Sequence, residues 1–224
     1  MKKTLVIIAH PEVESSSVQR FLIDSIKELP CVDHYLLREE TPDVLADRVK
    51  LKQYQRIIFQ FPMYWYSAPY ILKKWLDEVF SVEFAENHLT DKELGIVVSL
   101  GLSEQNFASG RSEKYTLSEI FRPFEALANK CHMIFLPIFS IPLFSYLEEK
   151  EKKKLLIAYE QYLTKENLAT FQSKETWFKE KLNHMIEGNT EEKEKLANIL
   201  SVMEANREEL EDLLVIVKEM RLEE

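Results

Sequence analysis

Tyr64, Trp65 and Tyr66 stand together in FQFPMYWYSAPYILKKWLDEVF (residues 59–80), between Pro62 and Pro69. Turns ordinarily draw on Gly, Asn, Asp and Ser, so three large aromatics in one need a reason. Their rings could stack on a flat ligand while backbone groups bond its polar edge. The two prolines fix the chain on either side, which aims the N–H groups of Met63 to Tyr66. An aromatic cluster capping a sheet, or a dimer face, would use the same residues, and composition does not choose among these. Two other stretches carry polar groups. HPEVESSSVQ (10–19) sets Ser15, Ser16 and Ser17 at a helix start, with His10 ahead of them. Free N–H groups and hydroxyls there could hold a phosphate without glycine, and the same serines would equally serve as helix caps. In VSLGLSEQNFASG (98–110) Ser99 offers a hydroxyl and Gly101 permits close backbone approach. An ordinary turn after a strand reads the same way.

Other chemistries find no support in the residues. The four glycines, at 95, 101, 110 and 188, cannot supply the spacing of a GxGxxG dinucleotide turn or a GxxxxGK phosphate loop. Five scattered histidines form no H-x-x-x-H pair, and Cys31 and Cys131 are too few for a disulfide framework and wrongly spaced for zinc, so no metal is expected. A net charge of −9 argues against general affinity for nucleic acid or anionic membranes. No apolar run reaches the ~18 residues of a membrane span. The N-terminal run Leu5–Ala9 is too short for a signal peptide, which places the chain in the cytoplasm as an expectation.

The elements that must position these groups alternate. Strand patterns cover 4–9, 32–37, 56–61, 94–100 and 133–139. Helical periods cover 16–29, 44–53, 68–80, 116–130 (with Pro123 as a kink) and 147–163. Five apolar strands separated by helices predict a mostly parallel sheet covered on both faces. Ligands of such sheets bind beyond the carboxyl ends of the strands, and the three stretches above follow the first, third and fourth strands. From about residue 165 the pattern is helical and acidic. Residues 165–224 hold nine basic and fifteen acidic residues, so six of the nine net negative charges lie there. The expected division is a domain at 1–164 and an acidic helical extension at 165–224. Asn189 as N-cap, with Glu192 three residues on, predicts a helix start. Ile199, Met203, Asn206, Leu210, Leu213, Val217 and Met220 then follow a 4-3 spacing, a heptad seam with one polar interruption. A hairpin folded back on the domain and a dimer element both fit that seam.

Together the three loops resemble the flavodoxin-like NAD(P)H:quinone oxidoreductase family, in particular bacterial general-stress quinone reductases and the ancillary flavoproteins of potassium efflux systems. AHPEVESSSV, the long aromatic stretch, and SLGLSEQNF followed by SEIFRPFEALAN carry the likeness, over roughly residues 3–163; the aromatic stretch is the most specific. The resemblance implies an α/β fold, a flavodoxin-like five-stranded parallel sheet of order 2-1-3-4-5, to which this chain adds its C-terminal helical extension. It implies FMN as cofactor, with FAD as the alternative, NAD(P)H as co-substrate, a quinone-like acceptor, and a homodimer whose partner completes each site. By position, His10, Ser16, Ser17 and Val18 would hold the flavin phosphate and ribityl chain. Pro62, Met63, Tyr64, Trp65 and Tyr66 would bind the ring, and Ser99, Leu100 and Gly101 would approach its other edge. Tyr64, Tyr66 and Phe107 would line the substrate pocket, and no side chain would be catalytic in its own right. Four departures bear on this. Leu100 stands where the family carries a hydroxyl, Leu102 replaces a small residue, Phe107 lacks a phenol, and no histidine occurs between 89 and 131. The connection FAENHLTDKELG is short, and the helical tail is not part of the usual family domain. The resemblance thus supports an oxidoreductase, and alternatively a flavin-binding regulatory or ancillary subunit of a transporter or other partner; an assembly domain that no longer holds flavin ranks last.

Overall fold

Thr4–Ile8 forms β1, and all five of its side chains are buried. A strand covered on both faces has no polar face to alternate with, hence its continuous apolar sequence. The same holds for β3 (Arg56–Pro62) and most of β4 (Glu93–Leu100). β2 (Val32–Leu36) is an edge strand and partly exposed. The order is β2-β1-β3-β4-β5, as the family resemblance implies, and the pairing is parallel, as the strand pattern predicts. The chain is seen here in a computed structural model that describes residues 2–188 and 192–220. The expected N-cap at Asn189 lies outside the described residues.

The fifth strand position departs from expectation. The run 133–139 is not one strand: β5 covers only Ile134–Phe135, and the edge resumes as β6 (Phe139–Pro142), also parallel to β4. Pro137 falls in the gap, and without an N–H it cannot continue a ladder. A helix over 116–130 is likewise divided, into α5 (Leu117–Ile120) and α6 (Arg122–Lys130). For clarity in chain order, α1 is Ser17–Ile26, α2 Val44–Lys52, α3 Tyr70–Val79, α4 Val82–His88 and α7 Glu149–Thr164. Pro123 sits in the first turn of α6, where its missing N–H costs nothing, rather than at a kink. The short α4 has no counterpart in the expected pattern; Ser81 caps it by accepting from the Phe84 N–H at 3.3 Å.

Helices cover both faces. On one, Leu22 and Ile26 of α1 and Tyr159 and Leu163 of α7 pack on Val6, Ile8, Ile58 and Val97. On the other, Ile71, Leu72 and Trp75 of α3, Phe84 and Phe121 pack on Leu5, Ile7, Phe59 and Phe61. Gly95 in β4 permits the close seat of α7: a Cβ there would meet the Tyr162 hydroxyl at 2.4 Å.

Two buried polar networks fix helix positions. Arg56 is fully buried. It donates to Glu93 Oε2 at 2.6 Å and to the carbonyls of Tyr162 (2.6 Å) and Lys165 (2.8 Å). Those carbonyls belong to the end of α7, whose last C=O groups have no partner within the helix. Nearer the other end of β3, the Tyr159 hydroxyl donates to Gln60 Oε1 at 2.5 Å, and Gln60 Nε2 donates to Gln19 Oε1 at 2.7 Å. Gln19 lies in the first turn of α1, so this chain of amides sets where the N-terminus of α1 points. After Leu168 a second compact unit begins at Ala169. It contains α8 (Phe171–Gly188) and α9 (Lys193–Met220).

Candidate functional site

The loops after β1, β3 and β4 converge at the carboxyl edge of the sheet. They enclose one side of an open cleft of about 330 Å³. Ser17 and Val18 line it from the start of α1, Pro62, Met63 and Tyr64 from the end of β3, and Ser99, Leu100 and Gly101 from the end of β4. Those eight positions were all named from sequence. Ser16 stands next to them as the N-cap of α1, accepting from the Gln19 N–H at 3.4 Å. The His10 ring lies edge-on to Tyr64, with centroids 6.4 Å apart. Trp65 and Tyr66 project beyond the cleft, at 95% and 50% exposure. Phe107 does not join them: it is buried in the core and does not line the cleft. The opposite wall was missed. It comprises Ile141 of β6 and Leu143 to Tyr146, directly after that strand. The rule that ligands sit beyond strand ends would have pointed there, since this loop follows the fifth strand position.

The aromatic turn has an unusual backbone. Tyr64 and Ser67 exchange both N–H···O bonds, at 2.9 and 3.0 Å, so only Trp65 and Tyr66 make the reversal. Both are left-handed, with φ of 48° and 59°. Such a two-residue turn normally calls for Asn-Gly, and an L-residue in that region costs about 1–2 kcal/mol. Strain of this kind persists where surrounding structure enforces it, and it gathers at ligand clamps. The expected row of aimed N–H groups is shorter than predicted. Met63 N–H donates to Ser99 O at 3.0 Å, which ties the second loop to the third, and Tyr64 N–H is used within the turn. Among the described residues, no hydrogen bond engages the N–H groups of Trp65 and Tyr66. The Tyr66 hydroxyl donates to Glu113 Oε2 at 2.7 Å, and this bond raises its pKa.

The first loop is ordered by its own polar groups. Ser15 Oγ donates to the Glu12 carbonyl at 2.9 Å, so Ser15 is occupied. Glu12 N–H donates to His10 Nδ1 at 3.0 Å. A neutral imidazole that accepts at Nδ1 carries its proton at Nε2, leaving that N–H as a donor. Burial lowers the pKa of His10, with the Glu12 charge opposing, which keeps the ring neutral. The first turn of α1 holds no acidic residue and offers free N–H groups. At Gly101 an added Cβ would meet nothing within 4 Å, so internal packing does not demand a glycine there. The cleft therefore combines a helix N-terminus and neutral donors at one end with an aromatic, donor-bearing turn at the other. Among the described residues no Lys or Arg lines it. Such a set suits a ligand with an anionic tail and a flat head.

The model of the family with a flavodoxin-like fold matches residues 2–165. The chain belongs to this family. An NADPH-quinone reductase from P. pentosaceus is 45% identical, with a TM-score of 0.70; the match covers 72% of this chain and 98% of that one. YrkL of Bacillus subtilis, named an uncharacterized NAD(P)H oxidoreductase, is 39% identical over 146 residues, 62% of this chain and 84% of that protein. General stress protein 14 from Treponema denticola, solved in complex with FMN, is 26% identical with a TM-score of 0.64, over 71% of this chain and 95% of that one. The family match stops at residue 165, so α8 and α9 lie outside it.

Proposed function

We propose that this flavodoxin-like protein is an FMN-dependent NAD(P)H oxidoreductase that passes two electrons, as hydride, to a quinone or similar electrophilic acceptor. The observation that carries the reading is the strained Trp65–Tyr66 turn, with two unengaged N–H groups, on the rim of a cleft whose other end is the N-terminus of α1. Kinship with an NADPH-quinone reductase and with a protein solved holding FMN supports it.

The residues present fit FMN. Ser16, Ser17 and Val18 supply hydroxyls and helix N–H groups for the phosphate, and neutral His10 supplies its Nε2–H without adding an acid. Tyr64, Trp65 and Tyr66 would hold the ring, with Ser99 and Gly101 at its other edge. When bound, FMN supplies acceptance and donation of hydride, chemistry that no side chain of the chain can perform. With FMN bound, the unengaged N–H groups of Trp65 and Tyr66 would supply partial positive charge beside the ring, a role that falls to the backbone because among the described residues no Lys or Arg lines the cleft. The Tyr66–Glu113 bond holds the turn against the third loop. Leu143 and Phe144 line the far side and would offer the bound group an apolar surface.

The test is the visible spectrum of purified protein incubated with excess FMN and desalted. A retained flavin spectrum that bleaches with NADPH or NADH without oxygen, and returns with a quinone, is the expected result. Failure to retain either FMN or FAD would refute the reading.

A further inference from the structure

Gln60 is an amide where packing alone would place an apolar side chain. It is fully buried in β3. Its neighbours across the ladder are Ile8 of β1 and Val97 of β4, both buried as well. An amide taken out of water costs stability unless its polar atoms are bonded, and apolar groups of the same shape would serve a core as well. Both ends of this amide are bonded. Its Oε1 accepts from the Tyr159 hydroxyl at 2.5 Å, and its Nε2 donates to Gln19 Oε1 at 2.7 Å. Gln19 and Tyr159 are themselves at most 1% exposed, so the chain of three lies in the interior.

Successive side chains of a strand alternate between faces, so Gln60 shares a face with Pro62, which lines the cleft two residues on. The same residue holds both ends of the first loop. Its carbonyl accepts the Ala9 N–H at 2.9 Å, just before His10. Its side chain holds Gln19, just after Ser17 and Val18 at the cleft wall. Gln19 N–H in turn donates to Ser16 Oγ at 3.4 Å. Residues 10–18 thus form a loop closed at both ends on one residue of β3. Precision matters here because of what the cleft lacks. A lysine holds an anion as a point charge on a flexible stem, which tolerates displacement. Among the described residues no Lys or Arg lines this cleft. N–H groups and hydroxyls must do the work instead, and their bonds weaken steeply off axis.

We propose that Gln60 is a positioning residue for the phosphate of the bound ligand. With Tyr159 and Gln19 it fixes the N-terminus of α1 against the floor of the cleft, so that the donors of Ser16, Ser17 and Val18 converge on one anionic group. Gln60 acts through α1 and does not itself contact the ligand. The role rests on the FMN reading and concerns the phosphate end alone; the aromatic turn that would hold the ring is fixed separately, by its own Tyr64–Ser67 pair and by Met63 N–H on Ser99 O.

Titration of the flavin-free full chain with FMN and with riboflavin, which lacks the phosphate, tests it. Q60L should weaken FMN binding roughly ten-fold or more, the worth of one hydrogen bond to a charged group, and riboflavin binding by less than about two-fold. Q60L also leaves Gln19 and Tyr159 without their partner, which costs stability. Q19L/Q60L/Y159F is therefore measured beside it, since exchanging all the partners for apolar groups of similar shape is nearly neutral. This triple variant should denature near the wild-type midpoint and show the same selective loss of FMN. A merely structural role would not produce that selectivity, because general loosening weakens both flavins alike. Equal loss of the two flavins, or wild-type affinity for FMN in the triple variant, would overturn the proposal and leave the FMN reading standing. A wild type that binds neither flavin would overturn the FMN reading and this role with it.

Discussion

Replacing Trp65 and Tyr66 by Asn and Gly should make the protein more stable and a poorer binder of flavin. Both residues hold left-handed backbone, and at about 1–2 kcal/mol each the strain in the pair is roughly 2–4 kcal/mol. Asn-Gly is the natural occupant of such a turn. Two losses offset the gain. The Tyr66–Glu113 hydrogen bond is exposed, so its loss costs little. Glycine loses more freedom on folding, roughly 0.5–1 kcal/mol. Trp65, at 95% exposure, buries almost nothing to lose. The net expectation for W65N/Y66G is a stabilisation of about 1–2 kcal/mol. For a chain of this size that raises Tm by roughly 2–8 °C, read by calorimetry on the flavin-free protein. A fluorescence titration of FMN should show weaker binding by five-fold or more, since each aromatic contact is worth about 0.5–1.5 kcal/mol. A variant less stable than the wild type would refute the strain argument. One that binds FMN as tightly as the wild type would remove the turn from the site.

Two further outcomes follow from the polar groups around the cleft. Y159F removes the donor to the fully buried Gln60 Oε1 and should cost about 1–3 kcal/mol; an unchanged denaturation midpoint would show that Gln60 finds another partner. His10 is held below its ordinary pKa by burial, so the folded protein binds fewer protons than the unfolded chain just below pH 6.5. Its contribution to stability is therefore complete above pH 6.5 and declines as pH falls toward the folded value. An NMR titration of His10 with a midpoint above 6.5 would refute this.

Periodicity made most of the sheet legible, because doubly buried parallel strands write themselves as unbroken apolar runs. The failures share a cause. The split of the fifth strand at Pro137 and the start of α6 at Pro123 were hidden because a proline marks both interruptions and beginnings, and only the neighbouring chain decides which. The burial of Phe107 was not legible because its sequence position is compatible with a loop side chain turned either way, and here it turns into the core. The wall from Leu143 to Tyr146 was overlooked because all but Ser145 are apolar or aromatic, chemically indistinguishable from packing. The aromatic turn was read as a platform, but its free donors are Trp65 and Tyr66 rather than Met63 and Tyr64. That distinction depends on the pairing of Tyr64 with Ser67, which residue types do not encode.

The two leucines that set this chain apart from its family in the third loop bear on whether the cleft can hold anything at all. Leu100 would threaten a ligand if its side chain filled the space that a hydroxyl leaves open. It is 4% exposed and belongs to the core cluster, so although Leu100 lines the cleft, little of its side chain is left to project into it. Leu102 is 42% exposed and does not line the cleft. The hydroxyl is lost, but no volume is. What remains at that edge is Ser99 and the open face of Gly101, while Ser99 O takes the Met63 N–H and keeps the second loop in register with the third. The sequence grounds for a domain that no longer binds flavin therefore reduce to one missing hydrogen bond. At about 0.5–1.5 kcal/mol, its absence changes a dissociation constant by roughly ten-fold at most. L100T should then tighten FMN binding by no more than that factor, and a gain of several hundred-fold would show that the leucine blocks the site after all.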